Sequence, residues 1–198
     1  MSPTPRIRAL TLVSVLLVAL GAILATVAAA NSAKSLPTSS ASAHIIQTQP
    51  APASCHARGA GLQALPDARC TPGAINPAVT PSTIDATICH AGWTATVRPP
   101  VSITNREKLA SMAAYGDGSR PGPFEYDHLV PLELGGAVND ARNLWPEPDY
   151  PVRSGFYLNP KDRLERLLNR RVCARKLSLA EAQRLIARDW VAAQTRFG

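Results

Sequence analysis

The chain has 198 residues, 45% of them hydrophobic and 18% charged, with a formal net charge of +7 at pH 7. This length can hold one domain of ordinary size. The positive charge is concentrated at the end, where residues 161–198 carry ten Lys or Arg against four Asp or Glu. Such an excess fits a polyanionic partner, and it equally fits Arg-rich helices that are simply soluble.

The first 30 residues have the composition of a targeting segment. Arg6 and Arg8 precede an almost wholly apolar run at residues 9–27, and three alanines at residues 28–30 follow it. This pattern predicts a secretory signal peptide or, if it is not cleaved, a membrane anchor through residues 9–27. In both cases we expect the remaining chain outside the cytoplasmic membrane, either secreted or anchored to its outer side.

Residues 31–54 are rich in Ser, Thr, Ala and Pro and predict a flexible linker, so the folded domain is expected at 55–198. All four cysteines lie in that domain, and an even number in an exported chain indicates two disulfides. Three pairings are possible. We favour Cys55–Cys70, which closes a local loop, and Cys89–Cys173, which ties the first part of the domain to a late helix.

Three short elements are expected before residue 120. Thr80 and Pro81 predict a short helix ending near Cys89. Thr94–Val97 predicts a short strand. Ser102–Tyr115 predicts a helix that Gly116 ends, with Thr104 as its cap and a buried stripe of Leu109, Met112 and Ala113.

The most informative stretch is Phe124–Pro148, which reads FEYDHLVPLELGGAVNDARNLWPEP. Phe124 and Tyr126 alternate as in a strand that ends at the adjacent pair Asp127 and His128. Neighbouring strand residues point to opposite faces, so this pair shares one site only if the strand ends there, and the following proline favours such an end. A Gly-Gly turn then returns the chain to Asn143.

Two helices are predicted after this stretch. The first begins near Asn159, with Pro160 at its first position and Leu164, Leu167, Leu168 and Val172 as its apolar stripe. The second begins at the capping box Ser178–Glu181 and directs Ala182, Leu185, Ile186, Trp190 and Ala193 inward. Together these elements predict an α+β domain that is mostly helical, contains a short β-hairpin and is tied by disulfides.

The side chains around residue 128 suggest hydrolytic chemistry. Carboxylate and amide oxygens, such as those of Asp127 and Asn143, suit a hard divalent cation, and a neutral imidazole can take a proton from water. Arg120, in the loop before the strand, could hold a phosphate through paired hydrogen bonds.

The order Asp-His, apolar-Pro-apolar, Gly-Gly and Asn-Leu resembles the HNH (ββα-metal) nucleases over residues 124–168. The resemblance implies a hairpin followed by a helix, with His128 as general base, Asp127 as a metal ligand and Asn143 as a supporting residue or ligand. It implies a divalent metal ion as cofactor, with Mg²⁺ expected and Mn²⁺ or Zn²⁺ as alternatives, and no small-molecule cofactor. The expected substrate is nucleic acid held by its backbone, with DNA favoured over RNA.

One part of the family pattern differs. Many members carry a further histidine on the following helix, whereas here no histidine follows His128 and the helix offers Asp162 and Glu165 instead. These acids lie on one side of the helix and could face a metal, or they could simply favour the helix dipole. The alternative to an exported nuclease is therefore an inactive binding or structural module that keeps the shape of the site.

Overall fold

The computed structural model describes residues 44–118, 120–153 and 156–197, and for residues 150–153 and 156–158 it describes the backbone. The predicted signal peptide or anchor at 1–30 lies outside the described residues. The helices are α1 (Trp93–Val97), α2 (Val101–Ala114), α3 (Pro160–Cys173) and α4 (Leu179–Phe197). The strands are β1 (Phe124–His128), β2 (Leu144–Pro148), β3 (Tyr150–Arg153) and β4 (Phe156–Leu158), and short 3₁₀ turns occur at Gly61–Gln63, Ile84–Ala86 and Leu132–Leu134. The predicted α+β class is confirmed.

Strands β1 and β2 form the antiparallel hairpin that carries the candidate site. Asp127 pairs with Trp145 and His128 pairs with Leu144. Directly opposed residues point to the same face of a hairpin, so one face presents Asp127 together with the opposed acids Glu125 and Glu147. His128 belongs to the other face. The second hairpin, β3–β4, was not predicted and lies between β2 and α3.

Two predictions for the first half of the domain are wrong. Thr94–Val97 belongs to helix α1, not to a strand. Gly92, with φ of 81°, turns the chain into this helix, and the Trp93 side chain packs against the core. Between Thr80 and Cys89 the chain forms turns around the 3₁₀ segment Ile84–Ala86. The Thr83 hydroxyl donates to the Ala78 carbonyl oxygen, and the Thr87 hydroxyl donates to the Thr83 carbonyl oxygen.

Helix α2 was predicted at the right place but with the wrong buried face. Met112 is buried as expected, whereas Leu109 is 58% exposed and Ala113 is also exposed. The helix instead buries Glu107 and Ser111. Glu107 accepts hydrogen bonds from the backbone amide of Gln47 at 2.7 Å and from Asn139 Nδ2 at 3.1 Å, and these bonds stabilise a polar residue inside the domain.

Helices α3 and α4 confirm their predicted starts. The Asn159 side chain accepts a hydrogen bond from the Lys161 backbone amide at 2.9 Å, and Ser178 Oγ accepts one from the Glu181 amide at 3.2 Å. The two helices pack together around Leu168, Ile186 and Trp190. The same core includes Leu129, Val130 and Leu134, which directly follow the end of β1. The segment after His128 is therefore fixed by apolar packing.

Both favoured disulfides are present, Cys55–Cys70 and Cys89–Cys173. Two disulfides are compatible with an exported protein. Among the described residues, no helix combines the length and apolar character needed to cross a lipid bilayer.

Packing against the domain begins before the predicted boundary at residue 55. In addition to the Gln47 bond to α2, the Asn139 side chain donates to the carbonyl of Ile45 at 2.8 Å. Gln49 Nε2 donates to the Tyr126 hydroxyl at 3.0 Å. The end of the predicted linker is therefore part of the folded body.

Candidate active site

His128 ends strand β1 and is 5% exposed. Its Nε2 lies 2.9 Å from the carbonyl oxygen of Val138. A carbonyl only accepts, so Nε2 carries the proton and Nδ1 is left with a lone pair. Burial lowers the pKa of His128 to about 4, against the opposing effect of the Asp127 charge. The ring is therefore neutral at pH 7 and able to accept a proton through Nδ1.

Asn143 is fully buried and holds together the loop that joins β1 to β2. Its Oδ1 accepts from the Val130 amide at 2.9 Å, and its Nδ2 donates to the carbonyl oxygens of Val130 at 3.0 Å and Ala137 at 3.1 Å. Its backbone carbonyl also accepts from the Leu129 amide at 2.8 Å. Both ends of the side-chain amide are engaged with the loop backbone.

The Gly-Gly turn is required by close packing. Gly135 has φ of 73°, in the left-handed region that favours glycine. A Cβ on Gly136 would overlap the Val130 carbonyl oxygen and lie 2.7 Å from Asn143 Nδ2. This turn therefore lets the chain return close enough for Asn143 to reach the end of β1.

Two cavities meet at His128. One has a volume of about 170 Å³ and the other about 240 Å³. Arg98 lines both of them. The smaller cavity brings together acidic, basic and imidazole side chains; its lining residues are Thr94, Arg98, Asp127, His128, Pro131, Leu132, Glu133, Glu165 and Arg166.

The acidic face of the hairpin is covered by a buried lysine. Lys161, in the first turn of α3, has no exposed surface, and its ammonium group forms an ion pair with Asp127 Oδ2. The same nitrogen lies 2.8 Å from Glu147 Oε2, 3.2 Å from Glu165 Oε1 and 2.8 Å from the backbone carbonyl oxygen of His128. Lysine is almost never buried to this extent without such partners.

The protonation of this cluster follows from burial and from the ammonium charge. Burial raises the pKa of Glu147 well above its usual range and that of Glu165 to about 8, although Lys161 opposes both shifts. Burial also acts to raise the pKa of Asp127, but the charges of Lys161 and His128 and the hydrogen bonds with Lys161 and Glu147 together outweigh it, and that pKa lies below its usual range. Burial and the Lys161 ammonium thus act in opposite directions on the pKa values of both glutamates, and burial prevails.

The remaining candidate residues lie in different surroundings. Asp162, next to Lys161, is half-buried, and burial together with the Asp127 charge raises its pKa. Arg120 is exposed in the loop before β1. Neither is among the described residues that line the two cavities at His128. The structure thus brings Asp127, His128 and Glu165 to one cavity, with Asn143 behind them.

Several residues of the site were not predicted. Lys161 and Glu147 belong to the buried cluster, and Arg98, Glu133 and Arg166 line the smaller cavity. For Glu147 a signal existed, because pairing of the two strands places it on the same face as Asp127. Glu133 is positioned by α3, whose Asn169 side chain donates to the Glu133 carbonyl oxygen at 2.7 Å.

Three of the four expected metal ligands, Asp127, Glu165 and Asn143, are engaged by other partners in this arrangement. Asp127 Oδ2 and Glu165 Oε1 contact the Lys161 ammonium, and the Asn143 amide oxygen contacts the Val130 amide. Across residues 44–118, 120–153 and 156–197, no three His, Cys, Asp or Glu side chains are grouped so that they could hold a metal ion. The cation that the Asp127 and Glu165 oxygens contact is the Lys161 ammonium group.

Comparison with known proteins identifies no relative. No protein-family model, no curated protein and no solved structure matches the chain.

Proposed function

We propose that this protein is an exported nuclease that hydrolyses phosphodiester bonds in nucleic acid, with His128 as the general base. The proposal combines the HNH-like order of residues 124–168 with the geometry around His128. The single observation that carries it is the buried, neutral imidazole whose Nε2 proton is held by the Val138 carbonyl. The second nitrogen of such a histidine carries the lone pair that a general base requires.

In the proposed reaction, a water molecule in the smaller cavity loses a proton to Nδ1 of His128. Its oxygen forms a bond to phosphorus, the bond from phosphorus to the sugar oxygen on the far side breaks, and that leaving oxygen takes a proton from solvent water. Arg98 and Arg166, which line the same cavity, hold the non-bridging phosphate oxygens by charge-assisted hydrogen bonds. Asn143 acts as a positioning residue, because it fixes the loop that supplies the Val138 carbonyl.

The substrate is nucleic acid recognised by its backbone, with DNA favoured over RNA. Phosphate contacts carry no sequence information and release counterions, so binding is expected to be indifferent to sequence and to weaken steeply with salt. The excess of basic side chains at residues 161–198 supports a polyanionic substrate. We place the activity outside the cytoplasmic membrane, either secreted or anchored, on the basis of residues 1–30 and the two disulfides.

A plasmid-nicking assay tests the proposal. The protein with both disulfides formed is incubated with supercoiled DNA in EDTA, and in parallel with Mg²⁺, Mn²⁺ or Zn²⁺, and a structured RNA is assayed alongside. We expect His128→Ala to lower the cleavage rate by a factor of about 10² to 10⁴. The matched control is His90→Ala, since His90 is exposed and away from both cavities. Cleavage that survives in His128→Ala contradicts the assigned base.

A second function is favoured by one observation. Asp127 and Asn143 are both satisfied by internal partners, as expected for a binding or structural module that keeps the HNH-like shape without catalysis. The same assay separates the two functions. If the unmodified protein leaves DNA and RNA intact under every metal condition, the module is the correct description.

A further inference from the structure

The ammonium group of Lys161 lies where the acidic face of the hairpin meets the first turn of α3. Its nitrogen contacts three carboxylates, from Asp127, Glu147 and Glu165, and the backbone carbonyl of His128. These partners come from β1, β2 and α3, so a single positive charge joins both strands of the hairpin to the following helix. Two of them, Asp127 and Glu165, are among the four residues that the sequence suggested as metal ligands.

The distances at this position suit an ammonium group. The nitrogen lies 2.8 Å from Glu147 Oε2 and from the His128 carbonyl, and 3.2 Å from Glu165 Oε1, as in N–H···O hydrogen bonds. A magnesium ion requires oxygens at about 2.0–2.1 Å in octahedral geometry. To bind there, a divalent ion would have to displace a fully buried side chain.

The charge balance leads to the same conclusion. One ammonium group already lies among the three carboxyl groups and contacts each of them. Its positive charge opposes the binding of a second cation at the same position. If the lysine were truncated, three carboxylate groups would surround an empty position, and a divalent ion could then compensate their charge.

We propose that Lys161 is the resident cation of this site, that it takes the structural place of a metal ion between Asp127 and Glu165, and that these carboxylates bind a divalent ion only when Lys161 is removed. This inference concerns cation binding and does not depend on the proposed nuclease activity.

The test is a titration with MnCl₂. Calorimetry measures Mn²⁺ binding, and thermal unfolding measures the midpoint temperature. Four proteins are compared: the unmodified protein, Asp127→Asn, Lys161→Ala and Lys161→Ala with Asp127→Asn. We expect no saturable Mn²⁺ binding that depends on Asp127 in the unmodified protein. Lys161→Ala is expected to lower the midpoint by about 10 °C in EDTA, because it leaves buried carboxylates unpaired.

Saturating Mn²⁺, at about 100 times its dissociation constant, is expected to restore roughly half of that loss in Lys161→Ala and none of it in the double variant. If Lys161→Ala is folded and takes up no Mn²⁺, the inference is overturned. Saturable Mn²⁺ binding by the unmodified protein that disappears in Asp127→Asn also overturns it, and this arm decides the matter even if the lysine variant does not fold. A protein that cleaves no nucleic acid can still pass or fail the binding test, so the two proposals fail separately.

Discussion

His128 and Asn143 donate hydrogen bonds to consecutive carbonyl groups of one loop. His128 Nε2 bonds to Val138 at 2.9 Å, and Asn143 Nδ2 bonds to Ala137 at 3.1 Å. The orientation of the imidazole and the fold of the loop are thus coupled through adjacent peptide units. A change at Asn143 would therefore reach the ring of His128 through this loop.

The pH dependence of cleavage should report the unusual environment of His128. The neutral, basic form of His128 is present above its pKa in the folded protein, and burial lowers that pKa to about 4 from the usual 6.5. We expect kcat/KM to rise with pH through about 4 and to stay level from there to neutral pH. Initial rates between pH 3.5 and 8, with circular dichroism to confirm folding, measure this profile. An acid limb centred near 6.5 would show that the ring is solvated and not buried.

Replacing Asn143 with alanine should destabilise the domain. The substitution removes three side-chain hydrogen bonds and leaves the Val130 amide buried without its acceptor. We expect the free energy of unfolding to fall by about 3 kcal/mol, measured by urea denaturation. Asn105→Ala, on the exposed side of α2, is the control and should change it by less than about 0.5 kcal/mol. Equal effects of the two substitutions would refute the role given to Asn143.

Gly136→Ala should lower the stability of the domain strongly, although it adds only one methyl group. The new Cβ would overlap the Val130 carbonyl and push against the Asn143 amide, so the loop must open. We expect a loss of about 3 kcal/mol or more in unfolding free energy. Gly118→Ala has open space at its Cβ position and serves as control. Thermal unfolding of both variants decides the comparison.

Arg166, one of the two arginines at the smaller cavity, is expected to contribute specifically to the proposed activity. Arg166 lines the cavity that contains His128, whereas Arg163, one turn earlier on the exposed side of α3, lines a different cavity. Arg166→Ala should lower kcat/KM by about 10- to 100-fold, the value of a lost charge-assisted hydrogen bond to phosphate. Arg163→Ala should leave it within about threefold. Similar losses in both variants would indicate general attraction to a polyanion and no phosphate site at Arg166.

The two disulfides should contribute unequally to stability. Cys89–Cys173 closes a sequence separation of 84 residues and Cys55–Cys70 one of 15. In the loop-entropy description, the longer closure stabilises the fold by about 1.5 kcal/mol more than the shorter one. Denaturation of the double variants Cys89→Ala/Cys173→Ala and Cys55→Ala/Cys70→Ala measures the difference. A larger loss in the second variant would point to packing around Cys55 as the dominant effect.

The sequence predicted correctly those elements whose ends are fixed by contacts between residues close together in the chain. The starts of α3 and α4 follow from Asn159 and Ser178, whose side chains bond to amides within the next three residues. Strand β1 was readable from its alternation. At Thr94–Val97 the β-branched residues indicated a strand, but the turn at Gly92 and the packing of Trp93 decided for a helix. Tertiary contacts overrode propensity there.

The interior of the site could not be predicted because its contacts are distant in the chain. In the sequence, nothing distinguishes Lys161 from the other basic residues of its helix. Only the fold brings Asp127, Glu147 and Glu165 into contact with it. The sequence predicted that Leu109 lies on the buried face of α2, but Leu109 is exposed and Glu107 is buried. Hydrogen bonds from Gln47 and Asn139 to Glu107 stabilise this orientation of the helix. Burial of polar groups is decided by such partners, and no periodicity in the sequence reveals them.

The contacts of residues 45–49 affect where a recombinant fragment of this protein should begin. A fragment starting at Cys55 would follow the compositional boundary, but it would delete the Gln47 amide that donates to the buried carboxylate of Glu107 and the Ile45 carbonyl that accepts from Asn139. It would also delete the Gln49 side chain that bonds to Tyr126, on strand β1 two residues before His128. A fragment that retains these residues keeps the support of strand β1 intact.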